Sequence, residues 1–193
     1  MPQPTPRSLL EIKPSLRLDL GNGAHLRPIV EADVTQTYVD GLNNPAVNRY
    51  LEVRRRRQTL ESVRAYVRAN ASDPQAILFG IFSGNVLRGT LRLHDVDLGR
   101  SKAAVGIALF DRDISGKGLG SSAIAAVARF ATTEMSLIRL AAGIYDANTA
   151  SVRAFEKSGF RRIEDIESDP DLGSAGLWIL DNSGQAPRAS QDR

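Results

Sequence analysis

A glycine-rich segment in the middle of the chain constrains the fold more than any other feature. Gly116, Gly118 and Gly120 stand at alternate positions between an apolar run, 103–110, and a segment, 124–135, whose apolar residues recur at helical intervals. Glycines let backbone amides approach a ligand closely, and a helix N-terminus adds unpaired N–H groups and the positive end of a dipole. The segment therefore predicts a strand, a tight loop and a helix. The loop either faces a phosphate group or serves only as a connection.

Two familiar phosphate-binding loops do not fit this spacing. A P-loop requires Ser or Thr directly after its Gly-Lys pair, but Gly118 follows Lys117. The dinucleotide-binding fingerprint requires its third glycine three positions after the second, and Ser121 stands there instead. Both interpretations are therefore rejected.

The rest of the chain alternates strand and helix patterns without a break typical of a linker. Two hairpins are expected around the turns Gly21-Asn22-Gly23 and Ser83-Gly84-Asn85, because β-rich runs flank each turn. The apolar runs before and after the glycine-rich segment, 103–110 and 140–145, predict two strands joined by a parallel crossover. Together these patterns indicate a single α/β domain.

Helix starts are marked by polar residues with capping spacing. Asp33, with Gln36 three positions later, predicts the start of the first long helix, and Thr59 precedes a second one. Asn148 is a strong N-cap candidate for the last helix, which Ser158-Gly159 would end.

Composition removes several classes of function. The 193 residues include no Cys and only two His, so no metal is expected, and the 25 Lys and Arg against 22 Asp and Glu give a net charge of +3, which favours no nucleic-acid partner. The chain has no run of about 18 apolar residues and no signal-like start, which predicts a cytoplasmic protein with no membrane partner. Residues 1–14 and 182–193 are predicted to be flexible ends of a domain spanning 15–181.

The register of Ser115, Gly118 and Gly120 matches a different loop, which has a long polar residue, two residues, Gly, one residue, and then Gly or Ala. In this loop the sequence resembles the GCN5-related N-acetyltransferase (GNAT) superfamily. Ser115 is the departure, because the family prefers Gln or Arg at that position. The family binds the pyrophosphate of acetyl-CoA mainly through backbone amides, so a Ser there is compatible with binding.

A second segment strengthens the resemblance. Asn148-Thr149-Ala150-Ser151 and then Phe155-Glu156-Lys157-Ser158-Gly159-Phe160 are similar to the family's Asn-x-x-Ser and aromatic-Glu-Lys-x-Gly-Phe, in the family's order. Taken singly, these residues could be only a helix cap, a core residue and a helix stop. The resemblance covers nearly all of 15–181. It implies a single-domain α/β fold with a mostly antiparallel twisted sheet, a parallel βαβ crossover at the acetyl-CoA site and about four flanking helices.

The resemblance also implies acetyl-CoA as the acyl donor. The backbones of Ile107 and Leu109 would lie beside the pantetheine arm, and Asn148 would bind the pantetheine or a water molecule. The loop residues would hold the pyrophosphate. These are Gly116, Lys117, Gly118, Leu119, Gly120 and Ser121.

The sequence offers candidates for the proton donor and for the general base of this reaction. Many family members carry a tyrosine that protonates the thiolate, but the matching residue here is Phe155, so Ser151 is the expected donor unless it is only a first-turn residue. His94, or else Glu52, is the candidate base, and otherwise the reaction uses acceptor that is already neutral. Without cysteine, the acetyl group is expected to pass directly to the acceptor.

The acceptor is expected to be a primary amine of a small molecule. The segment 43–52 and the arginines after it are similar to amino-sugar acetyltransferases, a branch close to the ribosomal-protein N-terminal acetyltransferases. Arg54, Arg56 and Glu52 are the candidate acceptor-binding residues, since guanidinium groups engage the phosphates of a nucleotide-linked amino sugar, although the arginine run could simply be solvated. A protein N-terminus as acceptor and a non-catalytic acyl-CoA-binding module are the alternatives, in a monomer or a homodimer.

Overall fold

The computed structural model describes residues 8–110 and 118–183. The helices within these ranges are α1 (Leu9–Ile12), α2 (Gln36–Asn43), α3 (Pro45–Asn48), α4 (Leu60–Ser72), α5 (Leu119–Thr133) and α6 (Thr149–Lys157). The strands are β1 (Leu18–Gly21), β2 (Ala24–Pro28), β3 (Ile77–Ser83), β4 (Val86–Asp97), β5 (Lys102–Leu109), β6 (Arg139–Tyr145), β7 (Arg161–Asp169) and β8 (Gly173–Asp181). Short 3-10 turns lie at Lys13–Ser15, Glu31–Asp33 and Glu52–Arg55.

The eight strands form one sheet in the order β1-β2-β3-β4-β5-β6-β8-β7. Neighbouring strands are antiparallel except β5 and β6, which are parallel and joined through α5. The predicted fold class, a mostly antiparallel sheet with one parallel crossover, is confirmed. Six helices are present in the described residues instead of about four, because the four-residue helices α1 and α3 add to four longer ones.

Both faces of the sheet are covered near its centre. The main core lies between one face and α5, and includes Leu26, Phe79 and Leu140, each completely buried. A smaller cluster packs α2 and α4 against the other face, where Leu78 contributes from β3. Because β3 is covered on both sides, its residues 77–82 form a continuous buried apolar run instead of an alternating one.

The N-terminal residues differ from the predicted flexible segment. Leu9 of α1 is buried in the main core, and the Lys13 side chain donates to three backbone carbonyls at the end of α4, at 2.6 to 3.2 Å. These contacts offset part of the cost of ordering residues 9–13, which lie within the 1–14 segment predicted to be flexible. Residues 1–7 and 184–193 lie outside the described residues.

Two of the three predicted helix starts are correct. Thr59 caps α4 by accepting from the Ser62 N–H, and Asn148 caps α6. Asp33 does not cap α2, which begins after Thr35, because its carboxylate pairs with the Arg27 guanidinium at 2.7 Å. None of the helices in the described ranges is long and apolar enough to cross a bilayer.

Candidate active site

Strands β5 and β6 diverge partway along their length. Their parallel register ends at Ala104 and Ala141, although β5 continues to Leu109 and β6 to Tyr145. A cavity of about 770 Å³ opens between the diverging ends. Its walls are the end of β5, the N-termini of α5 and α6, and the segment from α3 to Leu51.

Backbone groups of β5 face this cavity. The Phe110 N–H donates to the Arg88 carbonyl at 2.8 Å, which fixes the alternation of hydrogen-bonded pairs along the β4–β5 ladder. Because such pairs alternate with non-hydrogen-bonded ones, the amides and carbonyls of Ile107 and Leu109 point away from β4. On that side β6 has already diverged, so these groups face the cavity that both residues line.

The first turn of α5 forms a second wall. Gly118 is its N-cap, with a φ of +85°, a backbone angle that residues with side chains rarely adopt. Gly120 lies so close to β5 that an added Cβ would stand 3.4 Å from Leu109 Cδ1. Gly118, Gly120 and Ser121 line the cavity, whereas the Leu119 side chain packs against the main core. The first N–H groups of a helix have no carbonyl partner within it, which suits an anion. The predicted loop residues Gly116 and Lys117 lie outside the described residues.

The first turn of α6 forms the third wall. The Asn148 Oδ1 accepts from the Ser151 N–H at 3.3 Å, and both residues line the cavity. In the described parts of the chain, the Ser151 hydroxyl has no hydrogen-bond partner, unlike that of Ser121, which donates to the Gly118 carbonyl at 2.9 Å. Ser151 is therefore free to donate to a ligand.

Phe155 lies behind this turn. Its side chain is 2% exposed and meets Phe160 edge to face, with ring centroids 5.0 Å apart. It takes part in the main core and does not line the cavity.

Several residues that line the cavity were not predicted as site residues from the sequence. Arg49, Arg153 and Lys157 add positive charge, and no Asp or Glu stands among the lining residues that the structure describes. Tyr50 also lines the cavity, and its hydroxyl donates to the Ala147 carbonyl at 3.1 Å. The spacing of Arg153 and Lys157, four residues apart on a helix, could have identified one basic face, whereas nothing local marked Arg49 or Tyr50.

The predicted acceptor-binding residues lie beside the cavity and do not line it. Arg54 is 15% exposed and donates to the Asp169 carboxylate at 2.6 Å. Partial burial opposes its charge, but Asp169 and Tyr145 raise the pKa of Arg54 overall. Glu52 is 76% exposed, and Arg56 is also exposed. Arg54 thus holds the 52–55 turn against the β7–β8 hairpin.

His94 is likewise not brought to the cavity. It pairs with Ala104, where β5 and β6 are still hydrogen-bonded to each other. Leu91, the β4 residue that pairs with Ile107 of the cavity, lies about 10 Å away along the strand. Its Nδ1 contacts the Asp95 carboxylate at 2.8 Å. Across residues 8–110 and 118–183, no three His, Asp or Glu side chains converge in a way that could hold a metal ion.

Comparison with known proteins agrees with this architecture. The probable N-acetyltransferase YjcK of Bacillus subtilis (strain 168) is 35% identical over 86 residues, which are 44% of this chain and 48% of YjcK, so the match spans about half of that relative. The structure of RimL, a ribosomal alpha-N-protein acetyltransferase in complex with coenzyme A, has a TM-score of 0.77 at 18% identity, covering 86% of this chain and 98% of RimL.

A second solved structure has similar coverage. Spermidine N-acetyltransferase from Vibrio cholerae, in complex with CoA and spermine, has a TM-score of 0.72 at 15% identity, over 83% of this chain and 96% of the enzyme. At such identities these structures show a shared fold. The sequence model of the acetyltransferase (GNAT) domain matches residues 24–161, and the chain therefore belongs to the GNAT acetyltransferase family.

Proposed function

We propose that the protein is an acetyl-CoA-dependent N-acetyltransferase that transfers the acetyl group directly to a primary amine of a small molecule. The observation that carries this proposal is the cleft between β5 and β6. There the free amides of Ile107 and Leu109 meet the N-termini of two helices. Family membership and the names of the relatives support the same chemistry.

The charge of the cavity suits coenzyme A, because its described lining carries arginine and lysine and no Asp or Glu. The first turn of α5, with Gly118, Gly120 and Ser121, offers backbone amides to a pyrophosphate, and Arg153 and Lys157 supply cations for phosphate oxygens. The resemblance implies that Gly116 and Lys117 also bind the pyrophosphate. The amides of Ile107 and Leu109 would hold the pantetheine arm and polarise the thioester carbonyl.

Proton transfer is assigned to hydroxyl groups at the cavity. The neutral amine forms a C–N bond as the C–S bond breaks, and its nitrogen then releases one proton to solvent. The Ser151 hydroxyl donates its proton to the leaving thiolate and recovers one from solvent. Asn148 positions Ser151 through the cap of α6. Because neither His94 nor a carboxylate lines the described cavity, we infer that the acceptor binds as the neutral amine or loses its proton to water.

The charge of the cavity bears on the acceptor. With Arg49 at the α3 wall and no acidic lining residue in the described ranges, a polycationic amine would meet repulsion. An acceptor with a phosphate, such as a nucleotide-linked amino sugar, would pair with Arg49. This favours Arg49 over Arg54, Arg56 and Glu52 as the acceptor-binding residue. A protein N-terminus remains the second candidate, because RimL shares the fold.

Replacement of Gly118 tests the proposed site. Gly118→Asp places a side chain and a negative charge at the start of α5, so we expect the CoA dissociation constant, measured by calorimetry, to rise by at least about 100-fold. Gly118→Asn introduces a similar shape without the charge and tolerates the left-handed backbone better, so its effect should be smaller.

Two results would contradict the proposal. If Gly118→Asp binds CoA with unchanged affinity, the phosphates of CoA do not bind at the N-terminus of α5. Binding of acetyl-CoA without transfer to any amine in a panel of amino-sugar nucleotides, polyamines and N-terminal peptides would leave only the acyl-CoA-binding module.

A further inference from the structure

A second cavity, of about 420 Å³, lies at the β1–β2 edge of the sheet, away from the acetyl-CoA cleft. Leu18, Leu20 and Leu26 of these strands pack against the main core. Their alternate neighbours therefore face the opposite side of the sheet, where Arg17 and His25 line the cavity. Among the residues that the structure describes, none lines both cavities.

His25 is buried in this cavity without a hydrogen-bond partner. It is 8% exposed, and no group in the described chain forms a hydrogen bond with its ring. The ring stacks on Phe82, with centroids 5.3 Å apart and planes 13° from parallel. Buried imidazoles ordinarily have a partner, which makes this one available to a ligand.

The charges around His25 are unevenly paired. Arg27 lies over Phe82, 4.1 Å from the ring centroid, but Asp33 neutralises it through two hydrogen bonds. Arg17 is exposed and has no ion pair within the described residues. Asp19, also close to His25, accepts from the Gly21 N–H and does not line the cavity. One unpaired guanidinium and one unpartnered imidazole therefore face the same space.

We propose that this cavity binds a small oxyanion, the phosphate or carboxylate group of a small molecule, through Arg17 and His25. The guanidinium offers paired N–H donors, and the imidazolium offers one more. The cavity is larger than a phosphate group, so it has room for further parts of a molecule that carries the anion.

Ligand binding and protonation of His25 are linked. Burial, followed by the charges of Arg17 and Arg27, lowers the pKa of His25 in the free protein, while Asp19 acts in the opposite direction. An anion stabilises the imidazolium, so binding raises the pKa of His25, and affinity increases as the pH falls through that range.

The test uses the fact that the chain has only two histidines. The imidazole ¹⁵N and ¹H resonances of the full chain are followed during titration with sulfate, whose charge is constant between pH 5.5 and 8, at ionic strength matched with chloride. The His25 resonances should shift to saturation, with tighter binding at pH 5.5 than at pH 8. Those of His94, on β4 beside Asp95, should not move. Separate titrations with phosphate and acetate distinguish the two ligand classes by their relative affinities.

Arginine variants complete the test. Arg17→Gln should weaken sulfate binding by about tenfold, as expected for loss of a charged hydrogen-bond donor. Arg100→Gln, which removes an exposed arginine in the β4–β5 turn, should leave binding unchanged. Thermal melts confirm that both variants fold. Equal, non-saturating shifts of His25 and His94, or an unchanged affinity in Arg17→Gln, would overturn the proposal.

Discussion

Ser151 is the residue on which the proposed chemistry most depends. A properly placed general acid contributes about 100-fold or more to a rate. We expect Ser151→Ala to lower kcat by about this factor, while the CoA dissociation constant changes little because Asn148 caps the helix through the Ser151 backbone, which the substitution retains. Steady-state kinetics and calorimetry on the same preparation measure the two effects separately.

Two matched variants show whether the effect belongs to Ser151. Thr149→Ala removes another hydroxyl from the first turn of α6 and should leave kcat nearly unchanged. Tyr50→Phe removes the hydroxyl that donates to Ala147. Activity that survives in Ser151→Ala and falls in Tyr50→Phe would move proton donation to Tyr50.

At the same scale, local patterns revealed only part of the site. Asn148 and Ser151 could be found because one helix turn holds both, and their spacing is visible in the sequence. The ion pair of Arg54 could not be predicted, because its partner Asp169 lies 115 residues later in the chain. Tyr50 was missed for the same reason, since only the folded chain brings it to α6.

At the scale of elements, Lys13 fastens the N-terminal segment to α4. Its ammonium group binds the carbonyls of Asn70, Ala71 and Asp73, the groups that a helix leaves unpaired at its C-terminus. Lys13→Met would remove the donor from all three carbonyls, of which the Asn70 carbonyl still accepts from the Asp73 N–H at 3.4 Å, so we expect the free energy of unfolding to fall by about 1–3 kcal/mol. Urea denaturation followed by circular dichroism measures this loss.

Lys102→Met is the control for this prediction. Lys102 is an exposed residue at the start of β5, so its substitution should change stability by no more than about 0.5 kcal/mol. Equal effects of the two substitutions would mean that Lys13 contributes nothing specific as a cap.

Helices and strands were more predictable from sequence than their ends. Apolar periodicity and turn residues revealed both hairpins and the crossover, because these signals are local. Asp33 failed as a helix cap because the tertiary partner Arg27 competes for its carboxylate. The proline-rich N-terminus looked flexible because composition does not show that Leu9 finds a place in the core.

At the scale of the whole molecule, Arg54 and Asp169 join the 52–55 turn beside the cavity to the β7–β8 hairpin. A hydrogen bond from the Asp171 N–H, followed by the charge of Arg54 and a hydrogen bond from Arg55, lowers the pKa of Asp169 despite its partial burial. A carboxylate with a lowered pKa stabilises the fold at pH values above the pKa of an unperturbed Asp, about 3.9. This stabilisation is lost as the pH falls below that value towards the lowered pKa. Asp169→Asn should therefore lower the melting temperature at pH 7, and the difference from the unmodified protein should shrink from pH 4 to pH 3.

Asp171→Asn provides the comparison within the same turn. Asp171 is exposed, and in the described residues its side chain makes no ion pair, so this substitution should leave the melting temperature nearly constant across the series. If the difference in melting temperature between Asp169→Asn and the unmodified protein is as large at pH 3 as at pH 7, the effect of the substitution does not depend on the ionisation of Asp169.

The early end of the β5–β6 register has a consequence for how the protein meets other chains. Beyond Ala104, β5 is an open strand edge, and such edges on a flat surface recruit further strands and promote aggregation. In the described residues the edge lies along a concave cleft between α3, α5 and α6, which is a poor surface for a flat sheet from another molecule. The same concave shape leaves room for a slender ligand. The unpaired N–H and C=O groups of β5 are therefore more accessible to a small molecule than to a strand of another chain.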